Sequence, residues 1–353
     1  AEALDLAAAH FGLGSHGKMP HAPGRNVLFT AADAPALARQ RGESLETVSA
    51  NLATILGQLR AARARRKQPF VDRTRYANWN ALLAGALLRA GPILEDSWCV
   101  TAGLAALRRI RAEQPSPDTV THTATGPAGL LDDPVQCAAA ALDAFELTGD
   151  RDWLDWSAAL MDRVWQDHWD EARGGLRDTA RQRGGAGLLS TSVIPIQDSP
   201  NASPNGVAGQ TVARLFEHTL SSRWRERHEA FVTAFGATAA ELGLFASALL
   251  LAADWWVRPA THLVVTGPAH DPLAAELHRH ALAAFVPRRV VLRLLPGAEE
   301  SALPPALRGL APTADIVRGY ICTGTRCLAP VDTLAAWQTA LRSLLPTDDS
   351  PPE

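Results

Sequence analysis

Lysine is nearly absent from this chain. Lys18 and Lys67 are the only lysines among 34 basic residues. Codon usage in a GC-rich genome accounts for such a bias, and arginine's planar fork also suits bidentate recognition. Charge of one sign is lacking as well: 37 acidic residues leave a net charge of −3, so no basic face is implied for nucleic-acid phosphates. Four cysteines in 353 residues are too few for a disulfide-stapled secreted scaffold. No window reaches the ~18–20 apolar residues that span a bilayer. The longest apolar run, from Leu244 to Trp256, is interrupted by Ser247 and Asp254 and reads as a buried helix. The opening AEALDLAAAHFG lacks the basic and apolar regions of a signal peptide. These absences imply a cytoplasmic protein without a nucleic-acid or membrane partner. The P-loop, GxGxxG, GxSxG and HExxH patterns are also missing, and no cofactor is implied.

Helical periodicity is plentiful. Residues 1–43 read as mostly irregular, with one short helix in ADAPALARQRG stopped by Gly42. Val48, Leu52, Ile55 and Leu59 then follow a helical period. Further helices are expected at 81–91, 99–114, 134–148, 153–169, 206–220, 223–236 and 237–256, joined by hairpin-sized connections. Roughly nine helices with hardly any strand alternation predict an array of α-hairpins. The pattern changes near Arg258. HLVVTGP (262–268), a helix at 271–285, and RRVVLRLLP (288–296) predict a strand–helix–strand unit with a parallel pair. A third strand is expected at 315–324 and a last helix at 331–345. The expected domains are therefore 1–257 and 258–345, with 346–353 as a disordered tail.

Four segments, in order, resemble one family. They are RRKQPFVDRTRYANWNALLAGALLRAG, GLLDDPVQCAAAALDAFELTGDRDWLDWSAALMDRVWQDHWDEARGGLRDT, QDSPNASPNGVAGQTVARL and GYICTGTRCLAPV. They are similar to the basic-Pro and Trp-Asn segment, the Gly-Asp-x-x-Trp-Leu turn with its Gly-Gly loop, the Pro-Ser-Gly-Asn-type loop, and the Tyr-x-Cys-x4-Cys segment of the spermatogenesis-associated protein 20 group. The resemblance implies a mainly α fold: a six-hairpin (α/α) toroid like that of N-acylglucosamine 2-epimerase, incomplete in this chain, followed by a small α/β domain. Full-length members resemble a thioredoxin-like domain joined to that toroid. This chain has no Cys-x-x-Cys and starts at Ala1. A missing N-terminal portion or a partner chain is expected to complete the barrel.

The function this implies is carbohydrate-active: sugar epimerisation or isomerisation by acid–base proton transfer without a cofactor. The alternative is a non-catalytic sugar- or protein-binding scaffold attached to a redox domain. Candidate catalytic residues are Asp72, Asp133, Asp198 and His168. A carboxylate or imidazole with a tuned pKa suits proton transfer beside a carbonyl. Candidate substrate-binding residues are Arg75, Trp79, Asn80, Trp169, Ser203 and Asn205, since aromatic faces stack on sugar C–H bonds while amides and hydroxyls bind sugar oxygens. Each has a structural reading as well: Asp132 and Asp133 as helix-start residues, Ser203 as a cap, the tryptophans as packing. His122 and His218 are candidates by region alone. Gly174 and Gly175 suggest a tight loop beside Trp169 and Asp170. Cys322 and Cys327, spaced Cys-x4-Cys, read as a metal half-site, a redox pair or two packed thiols. A metal site is not expected, because two more ligands are lacking nearby and His278-x-His280 does not share a helical face.

Overall fold

The structure, a computed structural model, describes residues 2–181, 191–296 and 316–344. The tail expected at 346–353 lies outside the described residues. The chain divides into two compact units, residues 1–73 and 74–353.

The first unit holds three helices, α1 (Glu2–Phe11), α2 (Ala34–Arg41) and α3 (Leu45–Ala64). Leu6, Phe11, Leu37, Val48, Leu52 and Ile55 form its core. Asp33 and Ser44 cap α2 and α3 through their side chains, and Gly42 ends α2 in the left-handed conformation. The sequence reading did not separate α1 from the irregular residues after it. Its alanine-rich turns carry only two apolar anchors, Leu6 and Phe11, too few to show a period.

The second unit is an array of packed α-hairpins followed by a small mixed sheet. Helices α4 (Ala77–Leu94), α6 (Asp132–Thr148), α8 (Pro204–Thr219) and α10 (Ser247–Val257) pack side by side as an inner row. Helices α5 (Ser97–Ala112), α7 (Arg151–His168) and α9 (Ser222–Leu242) each pack on the helix before them as an outer row. Close approach within the inner row needs small residues. A Cβ on Gly206 would lie 2.5 Å from Ala248 Cβ, so only glycine lets α8 meet the start of α10.

Two expectations are corrected in the last helices. The break falls at Gly243, not at Gly236: Gly236 continues α9, whereas Gly243 (φ 55°, ψ −125°) caps it and a 3-10 turn leads into α10. Helical residues on both sides outvote one glycine, which costs only about 1 kcal/mol. The Leu244–Trp256 run is buried on one side only, with Leu244, Phe245, Leu250 and Leu251 exposed. Moreover, Ser222–Val257 contains an 18-residue window with mean hydropathy 1.6, apolar enough by composition to cross a membrane. This window runs against the expectation that no segment is apolar enough to span a bilayer.

Strands β1 (Thr261–Thr266) and β2 (Arg289–Leu294) pair in parallel through α11 (Pro272–Ala283). Strand β3 (Arg318–Thr323) lies antiparallel on the other side of β1 and hairpins into β4 (Arg326–Cys327), giving the order β2-β1-β3-β4. Side chains alternate between faces. Val264, Val290, Leu292 and Leu294 join the core of the helical array, and Leu263, Val265, Val291 and Ile321 join a second core with α11 and α12 (Leu334–Arg342). Strand β2 packs on α6 and α8, and α11 packs on α4. The inner row is thus covered by the sheet, and α6 is buried almost all round.

Candidate functional site

The first turns of the inner helices lie at one end of the array, shown by the contact between the starts of α4 and α6. The backbone N–H of Asn78 donates to Asp133 Oδ1 at 3.2 Å, and its side-chain Nδ2 donates to Asp132 Oδ2 at 2.6 Å. Gln136, one turn on, donates to Asp132 Oδ1 at 3.1 Å. Neither aspartate caps its own helix with its side chain. Both sit in the first turn, where the helix dipole favours negative charge, and they tie α6 to α4.

The loop between α5 and α6 brings His122 to the same place. Its backbone carbonyl accepts from Ala77 N at 2.9 Å, and its own N–H donates to Pro127 O at 2.8 Å. Its ring Nδ1 lies 3.0 and 3.1 Å from the two carboxylate oxygens of Asp133. Asp133 is 1% exposed, while the His122 side chain keeps 28% of its surface. Burial raises the Asp133 pKa above the ordinary carboxylate value, and the hydrogen bond and charge of His122 work against that rise. A buried carboxylate behind a solvent-reaching imidazole fixes the ring and leaves Nε2 to exchange protons with whatever approaches.

Aromatic surface adjoins this pair. The Tyr76 ring lies 5.0 Å from His122 and 5.1 Å from Trp79, and Trp79 is 60% exposed. Arg75 pairs with Glu113 at 3.2 Å, and Asn80 Nδ2 donates to Tyr76 O at 2.8 Å. Arg75, Tyr76, Asn80, Glu113, Gln114 and Thr121 line a cleft of about 90 Å³. Asp72 belongs to the 1–73 unit, whereas Arg75, Trp79 and Asn80 belong to the second.

The other expected site residues are committed to holding backbone. Asp198 accepts Ser203 N at 2.8 Å and Ala248 N at 2.9 Å, joining its loop to the start of α10. Ser203 caps α8 through Gly206 N at 3.2 Å. Asn205 is fully buried, accepting from Leu176 N and donating to the carbonyls of Leu176 and Pro195. Trp169 is buried and stacked on Trp165, ring centroids 4.0 Å apart. His168 donates from Nδ1 to Arg177 O, 2.8 Å away, and burial lowers its pKa. It lines a separate cavity of about 190 Å³ with Asp118, Pro134, Arg163 and Asp167. Arg173 and Arg177 hold Asp170 well below the ordinary carboxylate range. Gly175 (φ 98°) must be glycine, since a Cβ there would lie 2.4 Å from the Phe235 ring. Cys322 and Cys327, opposite each other on β3 and β4, are joined in a disulfide.

A second polar cluster escaped the sequence reading. Where the inner row meets β2 and α11, Arg89, Asp143, Glu146, Gln210, Arg214 and Arg289 line a cavity of about 180 Å³. Burial alone would raise the Glu146 carboxyl, but Arg214, His218 and Arg289 outweigh it and hold the pKa at about 2. The available signal was Asp143 and Glu146, an i, i+3 pair of acids within AAAALDAFELT. Their arginine partners come from other elements and share no motif with them.

No family model matches the chain. It is similar to human spermatogenesis-associated protein 20, with 24% identity over 87% of this chain and 41% of the relative. The mouse protein of that name is also 24% identical, over 92% of this chain and 44% of the relative. The chain thus spans less than half the length of the relatives it matches. Among solved structures it is similar to a GH76 alpha-mannanase of Bacteroides thetaiotaomicron, with 14% identity, TM-score 0.42, and 54% and 53% of the two chains covered. It is also similar to cellobiose 2-epimerase from Bacillus thermoamylovorans, with 9% identity, TM-score 0.38, and 47% and 46% covered.

Proposed function

Because the chain resembles spermatogenesis-associated protein 20 over most of its length, we propose that it is the carbohydrate-active part of a longer, thioredoxin-domain-containing protein. Its reaction is proton transfer on a sugar, of the isomerase or 2-epimerase kind. The observation that carries this reading is the His122–Asp133 pair, 3.0 Å apart by the starts of α4 and α6, with the Tyr76 ring in contact with both His122 and the exposed ring of Trp79.

The proposed chemistry follows from the geometry. A ring-opened sugar lies with its apolar C–H face on Trp79 and its hydroxyls toward Arg75 and Asn80. Asp133 holds Nδ1 of His122, so Nε2 takes the proton from the carbon beside the carbonyl. The electron pair moves onto the carbonyl oxygen as an enediolate; the imidazolium returns the proton to C2 once the enediolate has turned its other face for epimerisation, or to C1, with the O2 hydroxyl proton passing to O1, for isomerisation. Asn78 keeps Asp132 and Asp133 in register and does not itself touch the ligand.

Incubating the chain with free and N-acylated sugars in D2O tests this. Deuterium should appear at C2 by NMR, and His122→Gln should slow its entry by about 10²–10⁴-fold, the usual worth of a general base. Exchange with no sugar, or an unchanged rate in His122→Gln, would overturn the catalytic reading. Sugar-dependent quenching of tryptophan fluorescence without exchange would favour the binding-module alternative.

A further inference from the structure

The cavity between the inner row and the sheet has an unbalanced charge. Both of its carboxylates have ion-pair partners. Arg214 Nη2 lies 3.0 Å from both Asp143 Oδ1 and Glu146 Oε1, and Arg89 Nη1 lies 3.3 Å from Asp143 Oδ2. His218 Nε2 is 3.1 Å from Glu146 Oε1. Arg289, on β2, has no ion-pair partner among the described residues and donates to the Ala284 carbonyl. Three guanidinium groups therefore meet two carboxylates. The neighbouring imidazoles do not change the balance, since burial lowers the pKa of His218 and takes that of His278 to about 4, which leaves both neutral near pH 7. One positive charge is left over in a half-buried space, and a desolvated charge without a partner is costly. Burial accordingly lowers the Arg289 pKa, with Arg214 and Arg89 pressing in the same direction against Glu146 and Asp143.

We propose that this cavity binds a small oxyanion, a carboxylate or phosphate group, with Arg289 as its principal contact and Arg89 at the opening. Arginine's fork suits both groups bidentately. The volume of about 180 Å³ holds about six waters at ~30 Å³ each, which admits the anionic group and a short polar body. Gln210 gives its amide N–H to Ala248 O at 2.9 Å, so its oxygen is the acceptor left for a hydroxyl, and Trp255 lines the same wall. The site is distinct from the His122 site. Asp133 and Glu146 are thirteen residues apart on α6, about 20 Å at 1.5 Å per residue.

Thermal unfolding of the intact chain, at constant ionic strength, tests the proposal with sodium phosphate, sodium lactate and sodium chloride. Phosphate or lactate at millimolar concentration should raise the midpoint above that in chloride, and whichever acts more strongly identifies the oxyanion. Arg289→Gln should weaken the effect at least tenfold, as expected for loss of a charged hydrogen bond. Arg289→Lys, which keeps the charge but loses the fork, should weaken it less; it serves if the glutamine variant does not fold. No midpoint rise above chloride with either anion would overturn the proposal, as would an unchanged response in both variants. His122→Gln should keep the full anion response, so failure of sugar exchange and failure of anion binding are read separately.

Discussion

Replacing Arg214 by methionine keeps much of the side chain's apolar length and removes the guanidinium that faces Asp143 and Glu146, both at 3.0 Å. The two carboxylates are buried, and Arg89 and His218 are their remaining partners. Removing one partner of a buried ion pair costs about 3–5 kcal/mol, mostly through the charge left behind. The pH dependence makes the test sharper. In the native protein Glu146 is held at about 2 against an ordinary value near 4.5. Its folded pKa is depressed, so its contribution is present above pH 4.5 and is lost as pH falls towards 2. The full difference amounts to about 3 kcal/mol at 1.36 kcal/mol per pH unit. Without Arg214, burial pushes the Glu146 pKa up with only His218 and Arg289 left to oppose it. The folded variant then takes up the Glu146 proton at a higher pH than the native protein does, so it loses less stability than the native protein as pH falls. Urea unfolding followed by tryptophan fluorescence, from pH 7 to 4, measures the difference between variant and native protein. That difference should shrink on acidification. A loss under about 1 kcal/mol at pH 7, or a difference that grows as pH falls, would refute the reasoning.

Two other outcomes follow from the same contacts. Asn205→Ala removes one acceptor and two donor contacts to buried backbone. It should cost about 3 kcal/mol in urea unfolding, given ~1–3 kcal/mol for each buried polar group left unpaired. A thiol titration of the unfolded chain should find two thiols without reductant, from Cys99 and Cys137, and all four cysteines after reduction.

Much of the fold was legible because its signals are local. Val48, Leu52 and Ile55 repeat at the helical period and are buried together on α3, and two β-branched runs flanking a helix announced the parallel pair of β1 and β2. Competition between neighbouring signals was harder to read. Gly236 and Gly243 look alike in sequence, but only the second takes a positive φ. At the candidate site, Asp133, Trp79 and Asn80 stood out by motif, and the structure brings them near His122, which no motif marked. Ser203 and Asn205 are equally conspicuous in sequence. Their polar atoms turn inward to backbone groups, a choice set by the loops that pass over them and not by the residues themselves. The Arg89, Arg214 and Arg289 cluster was invisible for a related reason: its members lie on three elements up to 200 positions apart.

The sheet that covers the inner row has a consequence for how the chain is made. Val290, Leu292 and Leu294 share a core with Leu142 and Phe145 of α6, yet the ribosome adds them about 35 residues after α10 ends. At about 5–20 residues per second, the helices wait several seconds with that apolar side bare. A chain stopped at Val257 would stay in that state, so the last strands act less as an appended module than as the step that lets the helices settle.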